Sequence, residues 1–595
     1  MNAVAGPSGG PYGPQAKTYA LPDANNLYFV SPSGDASASG RELGKPTTLT
    51  SAFERVSSGD AIVLRGGLYR TGDLLLNQGI TLIPYKDEKP ILTGAKVASD
   101  WEKVSDSVWR TQWTSLFPSE PMFWWRKERE EHRTPLHRFN NDMVFFDGEF
   151  LQSAGSIDEL NEHNHFIDYA NKHVYIGRNP ADHTVEITAH EVAITRVSRD
   201  VNGKKTDKKG PKIHGITFQR YAWTALSIEG KRSFTDTDEP VDEPIGPADP
   251  STYGKQAVDT LLEDVTIRYV GRVAGYFRGD GLIIRNSLIS DTGTEGIYVI
   301  GSSNVLLERN IVLNNNIEAI TGYYASAVKI INQTHDVVIR DNIVKHHKNS
   351  VGVWYDIGNR NGVFINNYIE DTDIGFFFEI SRGVTVAGNV FVNNKNGIRI
   401  LNAADAHIYN NTLVDSLVQI DRNERSSEGD HFGWHPDTGP DVEEREGHIF
   451  TNNLLIENNA AKGPLLRIEQ PPSVCTRVPN SPLTKLDGNI YVRPNTPYKA
   501  KRPALIEWFD TSADDCKTHY DDLAAFKAQH APFSSHAIQL DGNARNVLKA
   551  PDLYDYSLLN NLPTEKSTAM PNTARKHLNW SKKDAQKTIG AYPLD

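Results

Sequence analysis

Two acidic residues, Asp356 and Glu379, occupy the same position in two consecutive copies of an internal repeat. The copies read Val351-Gly-Val-Trp-Tyr-Asp356-Ile and Ile374-Gly-Phe-Phe-Phe-Glu379-Ile, so the acids are 23 residues apart (379 − 356). If each copy forms one coil of a solenoid, the two side chains start on strands about 4.8 Å apart. Carboxyl groups roughly 5–5.5 Å apart suit glycoside hydrolysis with retention, in which one acid attacks the sugar and the other transfers protons.

The elements that would position this pair are short strands and tight bends. Asparagines recur with a base spacing of 22–25 residues and two longer gaps, at Asn286, Asn310, Asn342, Asn367, Asn389, Asn411 and Asn453. A period near 23 with β-type alternation and no helical pattern predicts an all-β parallel solenoid. We expect these asparagines to stack in register at a bend and to adopt its left-handed backbone.

Alternation along the strands then separates a core face from an outward face. The predicted core members include Tyr355, whose hydroxyl needs a partner, and the isoleucines Ile357 and Ile380 that follow the acids. The predicted outward face carries the acid pair together with candidate substrate-binding residues, namely Lys329, Trp354, Phe377, Arg399, Arg382 and Asp421. We expect the two aromatic rings to be exposed for stacking on a sugar and the cations to bond hydroxyls or a carboxylate.

The remaining chain divides by composition into tail, coils and insertions. We predict a flexible tail over residues 1–26, first coils over 27–84, and an inserted β-rich subdomain over 85–200. The main β-helix is expected over 201–460 and a C-terminal end with a second insertion over 461–595. The long polar loop 424–447 enters beside the acid pair, and its His431 and Trp434 are predicted to line the site.

Charge and cysteine content limit the compartment and the partners. The formal net charge of −12 makes nucleic acid an unsuitable partner, and no apolar run is long enough to span a membrane. Cys475 and Cys516 are the only cysteines, and they either form one disulfide in an oxidising compartment or remain free thiols. We expect a secreted or periplasmic protein, with the Gly- and Pro-rich start as a tail or as the junction left by a removed signal peptide.

The two coils at 351–383 resemble the catalytic coils of glycoside hydrolase family 120. The resemblance rests on Gly-Val-Trp-Tyr-Asp356 and on Gly-Phe-Phe-Phe-Glu379-Ile-Ser-Arg-Gly383, where the family is expected to read Glu-Val-Asn-His in place of Glu379-Ile-Ser-Arg. It implies a right-handed parallel β-helix with β-xylosidase-like activity, Asp356 as nucleophile and Glu379 as general acid/base. The openings Tyr28-Phe-Val-Ser-Pro-Ser-Gly and Gly59-Asp-Ala-Ile-Val-Leu-Arg are similar to those of many β-helix carbohydrate enzymes.

Two other functions remain open on the same fold. A polysaccharide lyase would use Lys329, Arg382 or Arg399 as base, with calcium held by the acid pair. A non-catalytic β-helix would bind saccharides without cleaving them. For the hydrolase we expect no catalytic metal and no required cofactor, with structural calcium as an option. The partner is an oligosaccharide or polysaccharide, and the oligomeric state is not predicted.

Overall fold

The protein folds as a parallel β-helix, as predicted from the repeat. The computed structural model describes residues 6–119, 121, 128, 131–229, 254–322, 325–426, 439–458, 463–495, 503–559, 562 and 568–593. Each coil contributes one strand to each of three faces, and successive coils pair in parallel along the helix axis. The all-β class follows from strands of three to six residues, rich in Ile, Val and Phe, that alternate with tight turns.

The first face is a continuous sheet of 13 strands, all paired in parallel. Its strands are Leu27–Val30, Ala61–Leu64, Thr81–Pro84, Lys212–His214, Leu261–Glu263, Ile283–Arg285, Ser303–Glu308, His335–Arg340, Arg360–Ile365, Arg382–Ala387, Ala404–Tyr409, His448–Thr451 and Leu483–Asp487.

The second face follows the asparagine bend and pairs in the same manner. Its strands are Gly67–Arg70, Pro90–Thr93, Thr217–Tyr221, Thr266–Val270, Leu288–Thr292, Ile311–Leu313, the first parts of Ile343–Asp356 and Tyr368–Glu379, Val390–Val392, Thr412–Val414, Leu454–Ile456, Ile490–Arg493 and Ile538–Asp541.

The third face carries the acid pair at the carboxyl ends of its strands. Its strands are Leu74–Leu76, Val192–Arg196, Thr224–Ile228, Val273–Phe277, Ile297–Ile300, Ser326–Ile331, the second parts of Ile343–Asp356 and Tyr368–Glu379, Asn396–Leu401, Leu417–Asp421, Leu466–Glu469 and Ile506–Phe509, with antiparallel Lys517–Tyr520 at the edge.

The asparagine ladder is present, with two corrections to its predicted membership and geometry. The backbone N–H of Asn367 donates to Asn389 Oδ1 at 2.9 Å, and that of Asn389 donates to Asn411 Oδ1 at 3.0 Å. The first position of the ladder is Ser287 rather than Asn286, since the N–H of Ser287 donates to Asn310 Oδ1. The left-handed residue is the one before each stacked asparagine, so the asparagine supplies hydrogen bonds and its predecessor makes the bend.

The core is a continuous apolar column inside the three faces. Tyr355 belongs to it, and its buried hydroxyl has no hydrogen-bond partner among the described residues, contrary to the expected need for one. Ile357 and Ile380 do not continue the core face as predicted. Both have a positive φ, 54° and 47°, because the chain turns left-handed directly after each acid and ends the alternation there.

The inserted subdomain forms a separate eight-stranded sheet with its own apolar cluster. Its strands lie inside the predicted range 85–200 and are Ala95–Val97, Glu102–Lys103, Trp109–Gln112, Val144–Phe146, Glu149–Ser153, Asn164–Asp168, His173–Ile176 and Val185–Thr188. The neighbouring segments Pro90–Thr93 and Val192–Arg196 are already strands of the β-helix. The subdomain is therefore inserted within a single coil, between its second-face strand and its third-face strand.

The chain ends pack on the outside of the coils. Composition predicts a flexible tail, whereas the N–H of Gly13 donates to the carbonyl of Arg309 at 2.8 Å and Lys17 forms an ion pair with Asp264. The helices are short and peripheral, at Leu49–Arg55, Pro472–Arg477, Leu523–Gln529, Ala544–Val547, Asn572–His577 and Lys582–Lys587, with a hairpin of Leu548–Ala550 and Asp555–Leu558. Cys475 and Cys516 form the disulfide that the sequence left open.

Candidate active site

The register of the third face places Asp356 directly beside Glu379 on adjacent parallel strands. The same position in the next two coils holds Leu401 and then Asp421, so Asp421 lies two coils beyond Glu379 as predicted from the alternation. Two residues earlier in each strand, Lys329, Trp354, Phe377 and Arg399 also lie in one row. Six of the predicted site residues, together with Asp421, are thus brought onto four neighbouring coils and the one that follows.

Asp356 is held by a buried cation. Its Oδ2 accepts a hydrogen bond from Lys329 Nζ at 2.7 Å, and both side chains are about nine-tenths buried. The same ammonium lies 3.0 Å from the centroid of the Trp354 ring, close to the negative face of the indole. An ion pair removed from water is costly unless its partners are well placed, and here the ammonium is enclosed between a carboxylate and a ring. This arrangement compensates the charge of an ionised Asp356.

Glu379 is the more deeply buried acid of the pair, with 2% of its surface exposed. Its Oε2 accepts a hydrogen bond from Trp354 Nε1 at 3.0 Å, and its Oε1 is paired with the guanidinium of Arg425. Trp354 therefore contacts the cation beside one acid with its ring and the other acid with its N–H. Both contacts to Glu379 favour its ionised form.

Arg425 is the site residue that sequence reasoning missed. It lies just beyond the strand Leu417–Asp421, in an aperiodic segment where no register relates it to the acids. Its backbone is fixed by Arg445, a fully buried guanidinium that donates to the carbonyls of Arg425 at 2.9 Å and Ser426 at 3.0 Å. Arg445 also donates to the carbonyl of Pro440, so one side chain joins the two ends of the loop. No pattern in the sequence indicates such a role for Arg425.

Trp354 and Phe377 differ from the prediction in their exposure. Each ring is 5% exposed, whereas the sequence reading expects open aromatic platforms. The rings stack on one another with centroids 5.2 Å apart and planes 22° apart, and they form a small outer cluster with Val351 and Leu401. Burying a large apolar side chain stabilises the folded protein, whereas leaving the ring exposed to solvent gives up that free energy. Their first structural role is therefore to enclose the two acids in an apolar surround.

Arg399 and Asp421 form a pair of their own beyond the acid pair. Arg399 Nη2 donates to Asp421 Oδ2 at 2.8 Å, with a longer second bond from Nε, and the guanidinium lies 5.3 Å from the Phe377 ring. Burial raises the pKa of the Asp421 carboxyl above its ordinary value, against the opposing effect of Arg399. The two residues provide a polar, bidentate edge one to two coils from Glu379.

Arg382 is a predicted site residue that is not brought to the acids. Arg382 begins a strand of the first face, and its guanidinium pairs with Glu444 at 2.6 Å and with the carbonyl of Gly439 at 3.2 Å. It anchors the returning end of the loop rather than facing the third face, because it follows the turn after Glu379. His431 and Trp434 lie outside the described residues.

Comparison with known proteins identifies the fold. Residues 252–413 match the family described as right handed beta helix region. The solved structure of XylC in complex with xylose superposes with a TM-score of 0.57 at 15% identity, covering 81% of this chain and 86% of that one. The protein is therefore a right-handed parallel β-helix, as the sequence predicts. No curated protein matches the chain.

Two further solved structures are similar at a lower level. A family 28 exopolygalacturonase from Yersinia enterocolitica has 12% identity and a TM-score of 0.35, covering 87% of this chain and 79% of that one. A lacto-N-biosidase of family 136 from Eubacterium ramulus has 12% identity and a TM-score of 0.34, covering 70% and 66%. These likenesses are too low to support any statement about activity.

Three further features of the described residues concern membrane spans, metal ligands and clefts. Within the described ranges, no helix is long and apolar enough to cross a membrane. The same part of the chain contains no group of three or more His, Cys, Asp or Glu side chains that could hold a metal ion. Two clefts are lined by residues other than the acid pair, one in the inserted subdomain and one beside Gln419.

Proposed function

We propose that the protein is a retaining glycoside hydrolase that uses Asp356 and Glu379 as its catalytic pair. The observation that carries the proposal is that two buried acids share one register position on adjacent parallel strands, each with its own cation. Strand spacing of about 4.8 Å favours the short carboxyl separation of a retaining enzyme over the 6.5–9.5 Å of an inverting one. Apolar residues would fill the same positions at lower cost, so buried charge at this place supports a function.

The surroundings of the acids support different roles for them. Lys329, on the adjacent strand, compensates the negative charge on Asp356. This arrangement suits a nucleophile that must be ionised when it attacks the anomeric carbon. The attack forms a glycosyl ester on Asp356 and releases the leaving alcohol. Glu379 would give its proton to the leaving oxygen and afterwards take a proton from the water that hydrolyses the ester. These are also the roles that the family resemblance implies.

Glu379 needs a proton at the start of this reaction, and Arg425 opposes that. The Arg425 side chain is 41% exposed and belongs to a loop, whereas Lys329 is 8% exposed and belongs to a strand. A sugar that occupies the site can therefore displace Arg425 more easily than Lys329. Displacement would remove the cation from Glu379 and favour its protonated form, since an adjacent positive charge stabilises the carboxylate.

A β-xyloside is the first substrate to test. The fold neighbour XylC was solved with xylose, and the coils at 351–383 resemble those of β-xylosidases. The bidentate edge of Arg399 and Asp421 offers hydroxyl partners to such a sugar, and Trp354 and Phe377 give the acids an apolar surround. The reaction needs no cofactor, and structural calcium remains an option.

The test is hydrolysis of a panel of aryl glycosides with chromogenic leaving groups, led by aryl β-xyloside. Asp356→Ala and Glu379→Ala should each abolish turnover of the active member of the panel. Azide should restore product formation in one of the two variants, with an azido-sugar whose anomeric configuration identifies which acid was the nucleophile. Full activity of both variants on that substrate would disprove the proposal.

The lyase alternative has less support. Its base would be Lys329, yet the Lys329 side chain is already engaged by the Asp356 carboxylate at 2.7 Å and by an indole face. Absorbance of an unsaturated product in the near ultraviolet would identify a lyase. For the compartment, we propose a secreted or periplasmic protein, which the Cys475–Cys516 disulfide supports.

A further inference from the structure

The inserted subdomain contains a cleft of about 530 Å³ that plays no part in the proposed reaction. It opens at the junction with the β-helix, where the N–H of Ser153 donates to Glu318 Oε1 at 3.0 Å and Arg138 donates to the carbonyl of Glu318 at 2.9 Å. Glu318 precedes the strand Ser326–Ile331, whereas the acid pair lies at the carboxyl ends of the third-face strands. A volume of this size is typical of small-ligand sites.

His165 places a fixed hydrogen-bond acceptor in this cleft. The side chain is 2% exposed, and its Nδ1 lies 2.9 Å from the carbonyl of Leu151, which can only accept, so Nδ1 carries the hydrogen. Burial lowers the pKa of the imidazole to about 4, and the ring is therefore neutral. Nε2 is then an acceptor, and no donor from the described part of the chain bonds to it. Such a neutral acceptor nitrogen is suited to a ligand hydroxyl.

The walls of the cleft are held in place and are partly apolar. The Tyr169 hydroxyl donates to Asp142 Oδ2 at 2.9 Å, and the same oxygen accepts the N–H of Phe117 at 2.8 Å. Tyr169 is thereby fixed as a wall, and Phe166 and Leu136 add further apolar surface. Leu136 is 53% exposed at the rim, an unusual degree for so large an apolar side chain.

The charge of the lining selects the class of ligand. Lysine and arginine are missing from the described residues that line the cleft, and burial lowers the pKa of His137 as well as that of His165. Among the described lining residues an anionic ligand would meet no lysine or arginine and would face the Asp142 carboxyl group. A neutral ligand with hydroxyl groups and a ring face matches the fixed acceptor and the apolar walls.

We propose that this cleft binds a short neutral oligosaccharide at a second site, separate from the acid pair. The proposal does not depend on the hydrolase activity, because it rests on His165, Asp142, Tyr169 and Leu136 alone. Its consequence is that one chain holds two saccharide sites, one that cleaves and one that retains the polymer close by.

The test is calorimetric titration of the full chain carrying Glu379→Gln, so that the probes are not cleaved. Xylotetraose and cellotetraose serve as neutral probes and tetragalacturonate as the anionic one. We expect one neutral probe to bind at two sites per chain. His165→Phe, added to this background, should weaken the second site at least tenfold, and Leu136→Ser about threefold. Ile157→Ser, an exposed apolar residue of the same subdomain outside the cleft, is the matched control and should change neither site.

Three outcomes would overturn the proposal. These are a single site for every neutral probe that His165→Phe leaves unchanged, an unchanged second site in both His165→Phe and Leu136→Ser, and tighter binding of tetragalacturonate than of the neutral probes. Leu136→Ser keeps the test valid if His165→Phe fails to fold, since Leu136 is at the exposed rim. Failure of the hydrolase proposal would appear differently, as a remaining single site that is lost on mutation of His165 and not on mutation of Asp356.

Discussion

The third face of the β-helix and the cleft of the inserted subdomain present polar groups in opposite ways. On the face, ionised acids and cations are buried together, as in Lys329–Asp356 and Arg425–Glu379, and their positions repeat from coil to coil. In the cleft, the polar groups are neutral or satisfied, and no repeat relates them. Paired buried charges suit a site that transfers protons and attacks a substrate. A fixed neutral hydrogen-bond acceptor suits a site that only binds a ligand.

The largest effect should come from removing the acids themselves. For Glu379→Ala we expect a loss of about 10²–10⁴-fold in kcat on an aryl glycoside with a poor leaving group, the usual contribution of general acid–base catalysis. Asp356→Ala should lose more, about 10⁴-fold or greater, because the covalent step disappears. Steady-state kinetics with purified variants measures both. Losses of similar size in His165→Phe would contradict the division between a cleaving face and a binding cleft.

The asparagine ladder provides the next effect, since it holds the coils in register. Asn389→Ala leaves the N–H and the side-chain amide of Asn367 and the carbonyl of Phe364 without their partner. We expect a loss of about 3 kcal/mol in the free energy of unfolding, from two or more unpaired buried groups. Denaturant unfolding of the variant measures it, with the outward-facing Thr385→Ala as control. An unchanged midpoint would show that the ladder does not stabilise the coils.

Glu318, at the junction between the two regions, should make stability depend on pH. Burial raises the pKa of its carboxyl to about 7, above the ordinary 4.5, so the folded state keeps the proton longer than the unfolded chain. The stabilisation is present below pH 4.5 and is lost as pH rises through 7. Glu318→Gln should equal the parent at pH 4 and exceed it by about 3 kcal/mol at pH 8. Thermal unfolding at both pH values measures this, with exposed Glu162→Gln as control. A variant weaker than the parent at pH 8 would contradict the burial argument.

The smallest expected effect separates the two acids from each other. Arg425→Leu removes the exposed cation from Glu379, and the alkaline limb of kcat/KM should move to higher pH because an adjacent positive charge favours the carboxylate. Lys329 and Asp356, the other charged groups near Glu379, are unchanged. The limb of kcat should stay in place if substrate already displaces Arg425. Arg477→Leu, a neighbouring arginine paired with Glu424 and Glu443, is the control. A stationary kcat/KM limb would remove Arg425 from the mechanism.

Much of the third face could be predicted because its geometry is periodic. A spacing of 23 residues placed Asp356 and Glu379 side by side, and alternation placed Trp354, Phe377, Lys329 and Arg399 with them. The same argument failed at Ile357 and Ile380, where a single left-handed residue ends the alternation. It also assigned the wrong geometry to the stacked asparagines, because a period of one coil does not resolve which of two adjacent residues makes the bend.

The inserted subdomain and the loop ends were beyond such reasoning. Arg425 reaches Glu379 only because Arg445 draws the carbonyls of both loop ends together, and these residues have no fixed spacing from the acids. The sequence indicated Arg382 as an equally suitable cation for the site, but Arg382 forms an ion pair with Glu444 instead. In the cleft, His165 lies on a strand that pairs antiparallel with its neighbour, and no sequence repeat relates His165 to Asp142. Their proximity therefore could not be predicted from spacing.

The sequence by itself determined the coil, the register and the order of side chains along the outward face, because a β-solenoid converts chain spacing directly into neighbouring positions. The tertiary structure decided which of those side chains are buried, which cation each acid receives, and where a neutral cleft opens. These depend on loops and on an inserted sheet that pack from outside the repeat, and packing of that kind is set by shape and charge in three dimensions rather than by period.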